Sequence, residues 1–286
     1  MASAPDIFDY RRRRALRGRS AGAPSLFLEW MADDLGERLS AVSREFRDIL
    51  LLGPVARFRE KLALPVKAAI SYAALSEAEA QDGAVLCTED ALPFEPASFD
   101  LIISAGTLDS VNDLPGALIQ VRRSLKPDGL FLGTMFGAGS LPALKRCMIA
   151  ADGDRTAAHI HPQIDVRSAG DLLSRAGFAM PVADGDRLTL RYGDPLRLIN
   201  DLREAGTGNA LAGPRAFIGK AGLARLFEAW AGMVEADGKL SERLELISLS
   251  GWAPSPDQAK PARRGSASVS LADALRSGGK KADQGG

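Results

Sequence analysis

The sequence predicts an α/β fold built on a doubly wound, mostly parallel β-sheet. Three short apolar runs bounded by turn residues indicate buried strands: ILLL before Gly53, FDLIISA at 99–105 and LFLGTMF at 130–136. Between the last two, apolar residues recur at helical spacing over 114–125. Because strands that alternate with helices usually pair in parallel, helices are expected on both faces of the sheet.

The other elements can be placed in chain order. A short helix should begin at Pro54, since a proline ring suits the first helical position. Helices are also predicted over 140–176, with a break at HIHPQ, and over most of 194–236. The remaining strands are predicted at 46–52 (which includes ILLL), 66–74, 84–87, 177–183 (GFAMPVA), 187–192 (RLTLRY) and 242–252.

Composition shifts divide the chain into three regions. Residues 1–43 are predicted to be an N-terminal helical segment, in which SLFLEWMADDLGERLSAVS carries apolar residues at helical spacing. Residues 44–253 form the sheet domain, with a helical insertion around 194–236. From residue 254 onward Pro, Ser, Gly, Lys and Arg dominate, so residues 254–286 are predicted to be a flexible tail.

Composition also excludes several functional classes. The 36 basic and 36 acidic residues balance, so the net charge gives no long-range attraction to nucleic acid. The dense basic run Arg11–Arg14 is interpreted as the solvated face of a helix rather than a binding arm. No apolar run approaches the roughly 20 residues of a membrane span. With two cysteines and no apolar signal core at its N-terminus, the chain is expected to be cytoplasmic.

The fourth and fifth strands carry motifs that point to a family. LPFEPASFDLIIS, followed by VNDLPGALIQVRRSLKPDGLFLGTMFG, resembles class I S-adenosylmethionine-dependent methyltransferases. Together SAGDLLSRAGFAMPV, RYGDPLRLINDLR, LSGWAP and QAKPARRGSASVSLADAL are similar to the mitochondrial complex I assembly factors that hydroxylate an arginine. This resemblance covers nearly the whole chain. It implies the class I methyltransferase (Rossmann-like) fold: a seven-stranded sheet, mostly parallel with the last strand antiparallel.

The resemblance also implies an S-adenosylmethionine site whose first loop is altered here. In the family, an acid and three glycines form this loop, because glycines let the backbone approach the cofactor closely. Leu51 takes the place of the acid, and Val55 and Arg57 take the places of the second and third glycines. Only Gly53 is retained.

Two more cofactor contacts of the family are replaced. Ala74 stands where an acid would bind the ribose hydroxyls, and Thr88 stands where an acid would bind the adenine amino group. Each charge-assisted hydrogen bond contributes roughly 1.5–3 kcal/mol, so losing both weakens a micromolar affinity to about the millimolar range. A change in the register of this segment could bring one nearby carboxylate back to the cofactor position. Tyr72 is expected to fill the space where the ribose of the cofactor would lie. The cofactor-binding candidates are Gly53, Tyr72, Glu89, Asp90 and Ser104.

The substrate side lacks the family's reactive side chains as well. Asp109 and Ser110 replace a His-Trp pair, and Gly139 and Pro142 replace an acid and a tyrosine, so no catalytic residue is predicted. The HIHPQ segment is interpreted as a loop over the carboxyl edge of the sheet, because two histidines without a carboxylate or thiolate cluster do not form a metal site. Cys87 is interpreted as a small buried residue rather than a nucleophile.

Three functions therefore stay open. The first is a complex I assembly protein with impaired or lost cofactor chemistry that acts through a protein partner, with a respiratory complex I subunit as the candidate. The second is an active methyltransferase or arginine hydroxylase acting on a protein. The third is a small-molecule or nucleotide sensor that reuses the emptied pocket. The tail favours the first, because a basic cluster followed by an apolar stretch suits a segment that orders on binding.

Overall fold

The structure of the protein, a computed structural model, describes residues 6–155, 157–214 and 217–256. The part of the tail on which the partner hypothesis rests lies outside these residues. Among the described residues, those up to Pro254 form one compact unit, so the N-terminal helices belong to the same unit as the sheet. None of the described helices combines the length and the apolar composition that a membrane span requires.

Helices and strands alternate through most of the described chain. Three short 3-10 segments, Pro54–Leu62, Glu77–Glu79 and Leu108–Ser110, lie at the ends of strands or in the loops after them. The helices are α1 (Tyr10–Ser20), α2 (Leu26–Ser40), α3 (Leu114–Ser124), α4 (Pro142–Asp152), α5 (Val166–Arg175), α6 (Pro195–Glu204) and α7 (Lys220–Ala231). The strands are β1 (Asp48–Leu52), β2 (Ala69–Ala74), β3 (Val85–Leu86), β4 (Phe99–Ala105), β5 (Leu125–Phe136), β6 (Ala179–Tyr192) and β7 (Leu240–Trp252).

The strands form one seven-stranded sheet in the order β3-β2-β1-β4-β5-β7-β6. The pairs from β3 to β5 are parallel, whereas β7 runs antiparallel to both β5 and β6. The predicted fold class, with its antiparallel last strand, is confirmed. The order reverses beside β1 and β4, and the carboxyl ends of these two strands are where an open α/β sheet places its ligand.

Two apolar layers cover the sheet, and alternate residues of each central strand belong to different layers. Ile49 and Leu51 of β1 pack with α2, α4, α6 and α7, whereas Leu50 and Leu52 pack with α3 and α5. Both faces of β1 and β4 are buried. This double burial explains why the strands read as continuous apolar runs in the sequence.

The structure corrects two of the predicted strand boundaries. Residues 179–183 and 187–192 of the two predicted strands belong to one strand, β6, because β7 is nearly as long and pairs with β6 without a break from Val182 to Tyr192. The polar DGDR sequence between the two predicted strands is tolerated because β6 lies at the sheet edge. The fifth strand begins at Leu125, which pairs with Phe99 before a β-bulge, rather than at residue 130.

A buried carboxylate supports the start of α4. This helix begins at Pro142, and its N-cap residue, Leu141, has no side chain that could accept a hydrogen bond from the first turn. Instead Glu242 of β7 accepts hydrogen bonds from the backbone N–H groups of Ala143 and Leu144, at 3.2 and 2.8 Å. Glu242 has no solvent exposure, and burial raises its pKa above the usual 4.5.

We expect Glu242→Gln to gain stability relative to the wild type as the pH rises from 4.5 to 7. A carboxyl group whose pKa is higher in the folded than in the unfolded state loses stability when it ionises, and the amide removes that loss. Denaturant unfolding of both proteins at several pH values measures the difference in the free energy of unfolding.

Asp165→Asn supplies a control of opposite sign. Asp165 accepts a hydrogen bond from the backbone N–H of Ser168 at 2.8 Å, and this contact lowers its pKa below 3.8. Its ionised form therefore stabilises the fold, so the asparagine variant should lose stability relative to the wild type as the pH rises through the region below 4. If the free energy of unfolding, measured relative to the wild type, changed with pH in the same way for both variants, the opposite pKa shifts of Glu242 and Asp165 would be contradicted.

Candidate functional site

The first loop at the carboxyl edge of the sheet turns at Gly53. Its φ of +81° lies in the left-handed region, and a Cβ atom added there would lie 2.3 Å from Cγ2 of Thr107. This turn therefore needs glycine. Val55 follows two residues later, is only 1% exposed and packs in the core. Its side chain occupies space that a glycine would leave open.

The next two strand ends carry neutral side chains where the family pattern has acids. Ala74 ends β2, is 4% exposed and has no polar group for the ribose hydroxyls. Thr88, half-buried after β3, offers a neutral hydroxyl near the adenine position. Glu89, the residue after it, is buried. Its carboxylate is the nearest possible substitute, but it already binds another part of the chain.

That partner is Arg13 on α1. Its two terminal nitrogens donate to both carboxylate oxygens of Glu89, at 2.6 and 2.7 Å. The guanidinium also donates to the Ser110 hydroxyl and to the carbonyl oxygen of Thr107, each at 2.9 Å. Arg13 is 6% exposed and Glu89 is 3% exposed. This buried bidentate pair therefore occupies the strand ends where the adenine contact was predicted.

Arg17 lies one helical turn further along α1 and is also buried. Its Nη2 atom donates to the carbonyl oxygen of Gly106 at 2.8 Å, and its Nε atom lies 3.9 Å from a carboxylate oxygen of Glu79. A Cβ atom on Gly53 would lie 3.8 Å from the same Nη2 atom. The guanidinium of Arg17 therefore lies against the first loop.

The interpretation of the run Arg11–Arg14 as a solvated helix face is wrong for Arg13, which is buried. Arg17, which follows the run on the same helix, is buried as well. All three partners of Arg13 lie at least 76 residues away in sequence, so helical spacing within the run gives no sign of them. Arg57, at the position of the family's third glycine, supports the same arrangement. It donates to the carbonyl oxygens of Ser20 and Ala23 and so holds the connection between α1 and α2.

The predicted cofactor-binding residues fall into two groups. Gly53 and Ser104 meet at Thr107, whose hydroxyl lies 2.9 Å from the hydroxyl of Ser104, and Glu89 lies beside them through its contact with Arg13. Asp90 follows Glu89 and is half-buried. Tyr72 is directed elsewhere, since its hydroxyl accepts a hydrogen bond from exposed Arg59 at 2.9 Å. Arg13 and Arg17 therefore occupy the strand ends that Tyr72 was expected to fill.

The other candidate residues have structural contacts. His159 lies 2.8 Å from the carboxylate of Asp152, and His161 accepts from the backbone N–H of Ala210 at 2.9 Å. Burial lowers the pKa of His161 and raises that of the Cys87 thiol to about 12, which leaves both neutral at pH 7. Within the described residues, no group of three or more His, Cys, Asp or Glu side chains could hold a metal ion.

A second face of α1 borders an open cavity of about 1040 Å³. Arg12, Leu16 and Arg19 line this cavity, whereas Arg13 and Arg17 belong to the neighbouring face and contact the cofactor loops. Arg12, Leu16 and Arg19 are separated by four and three residues, and Arg13 and Arg17 by four, so each set lies on one face of the helix. The helix therefore contributes one face to the ends of β1 and β4 and an adjacent face to the cavity, which Asp109 after β4 and Phe136 at the end of β5 also line.

Comparison with known proteins identifies the family. The chain is 32% identical to human arginine-hydroxylase NDUFAF5 over 286 residues, which covers 94% of this chain and 83% of the relative. The chain belongs to this family. The Danio rerio protein of the same name is 35% identical over 206 residues, covering 70% of this chain and 64% of the relative.

The other comparisons agree on the superfamily and the fold. A family of methyltransferase domains matches residues 62–133, which contain β2 to β4 and most of β5. The YcgJ protein of Bacillus subtilis superposes with a TM-score of 0.54 at 14% identity, covering 77% of this chain and 98% of YcgJ. These matches confirm the class I methyltransferase superfamily, for which S-adenosylmethionine is the family cofactor.

The buried Arg13–Glu89 pair should be the strongest polar contact of α1. We expect Arg13→Ala to lower the free energy of unfolding by about 3–5 kcal/mol, because it leaves a buried carboxylate without a partner. Replacing both residues, as Arg13→Met with Glu89→Leu, should recover most of this loss. Denaturant unfolding of the single and double variants measures the coupling free energy between Arg13 and Glu89.

Arg14→Ala is the matched control on the same helix. Arg14 pairs with Glu77 at 3.1 Å, but the two side chains are 45% and 77% exposed. Water screens such a pair, so the substitution should change stability by less than about 1 kcal/mol. If Arg13→Ala and Arg14→Ala cost the same, the buried pair does not anchor α1.

Proposed function

We propose that this protein acts in the assembly of respiratory complex I by binding a protein partner, without S-adenosylmethionine chemistry. The observation that carries the proposal is the burial of Arg13 and Arg17 at the strand ends that would receive the cofactor. The link to complex I rests on membership of the NDUFAF5 family and on the family resemblance. A subunit of the complex is the candidate partner.

The side chains at the site do not fit the cofactor. Two acids of the family pattern are replaced by Ala74 and Thr88, which removes about 3–6 kcal/mol of binding. Glu89 could accept a hydrogen bond from the adenine amino group only by giving up its pair with Arg13. That exchange would leave a buried guanidinium without its carboxylate, which adds a further cost to binding.

The alternative function is an S-adenosylmethionine-dependent methyltransferase or arginine hydroxylase acting on a protein. One observation favours it: the relatives that show the family are named arginine hydroxylases. This function would require α1 to leave the strand ends before the cofactor binds. A small-molecule or nucleotide sensor that reuses the cofactor pocket has less support, because Arg13 and Arg17 occupy that position.

The proposal predicts no binding of S-adenosylmethionine to the purified full chain. Isothermal titration with the cofactor at up to hundreds of micromolar should give only heats of dilution, and the melting temperature should shift by less than about 1 °C. An active class I methyltransferase titrated with the same stock serves as the control. A Kd below about 50 μM would overturn the proposal and favour the alternative.

A complementation experiment tests whether the cofactor position matters in the cell. Ala74→Leu adds bulk at the predicted ribose position, and Asp90→Arg adds bulk close to the predicted adenine position; neither residue is itself a hydrogen-bond partner of Arg13. We expect both variants to restore complex I activity in a deletion strain as fully as the wild type, at equal protein abundance. Loss of activity by both variants, with abundance unchanged, would show that the position is used.

A further inference from the structure

The cavity beside α1 has an apolar floor that the proposed function does not use. Its volume of about 1040 Å³ lies at the upper end of the range for small-molecule sites. The floor comes from strand β5 and from helices α4 and α6, and it includes Phe136, Leu144, Met148, Ile199 and Leu202. Such a surface gains most from contact with a hydrocarbon chain.

Two arginines at the rim of the cavity carry positive charge that no described residue neutralises. Arg19 lies in the last turn of α1 and Arg203 in the last turn of α6, and both are exposed. Among residues 6–155, 157–214 and 217–256, neither side chain has a hydrogen-bond or ion-pair partner. Both are therefore available to a ligand.

Other polar groups around the cavity are already engaged. Arg12 donates to the carbonyl oxygens of Leu211 and Gly213. Of the two acids that line the cavity, Glu204 accepts a hydrogen bond from Asn200 at 2.7 Å. Asp109, the second acid, interacts electrostatically with Arg13 and raises its pKa. Because a neutral amide does not cancel the charge of Glu204, both acids still count, and the lining holds three arginines against two acids, an excess of one positive charge.

We propose that this cavity binds a fatty carboxylate: a linear hydrocarbon chain that ends in a carboxyl group. The chain lies on the apolar floor, and the carboxylate binds at the rim to the guanidinium groups of Arg19 and Arg203, which suit planar carboxylates. The site borders the same carboxyl edge of the sheet as the cofactor position, because Asp109 after β4 and Phe136 at the end of β5 line the cavity. Its ligand is bound without S-adenosylmethionine, so the test below needs no cofactor.

Calorimetric titration of the full chain tests the ligand class. Dodecanoate, dodecanol and dodecyltrimethylammonium share one chain and differ only in the charge of the head group; each is used below its own aggregation threshold. We expect dodecanoate to bind with a Kd below about 50 μM and at least about tenfold more tightly than the other two. Equal binding of all three, or tighter binding of the cation, would overturn the carboxylate assignment.

Variants locate the site. Arg19→Glu with Arg203→Glu should weaken dodecanoate binding at least about tenfold, because two attractive charges become repulsive. Arg175→Glu is the matched control, since Arg175 also is exposed in the last turn of a helix, α5, but does not line the cavity. Met148→Trp should abolish binding by filling the floor, with secondary structure retained by circular dichroism. If the double variant and the control bind dodecanoate equally, the site is not this cavity.

Discussion

The arrangement of this protein depends on the burial of the Arg13 guanidinium at the carboxyl edge of the sheet. A buried charge needs a partner, and Glu89 together with Ser110 and the Thr107 carbonyl accepts the hydrogen bonds that Arg13 can make there. Glu89 is equally dependent on Arg13, since both side chains are nearly inaccessible. This mutual requirement holds α1 in place and decides which space around it is filled and which is open.

Residues that depart from the family's cofactor pattern take part in the same arrangement. Arg57 donates to two carbonyl oxygens at the end of α1, and a glycine at this position could not make these contacts. Val55 packs in the core below the first loop. The residues that replace the family's cofactor pattern therefore make contacts of their own within the chain, so the local sequence and the surrounding packing agree with each other.

The sheet could be predicted from the sequence because its signals are local. Apolar runs such as FDLIISA, which matches β4 residue for residue, report burial on both faces. The filled site could not be predicted, because the partners of Arg13 lie 76 to 97 residues away and a basic run has the same helical spacing whether it is solvated or buried. The continuous β6 strand was missed because its DGDR sequence is typical of a turn, and only pairing with β7 overrides that local preference.

Membership of a methyltransferase-fold family thus constrains the backbone of this protein more closely than its chemistry. The strand order places a ligand position at the ends of β1 and β4, but the side chains at that position belong to a helix of the same chain. An adjacent face of that helix borders the open cavity, whose lining combines apolar residues with three arginines. Because α1 contacts both the strand ends and the cavity, its position determines which side chains a ligand would meet at either place.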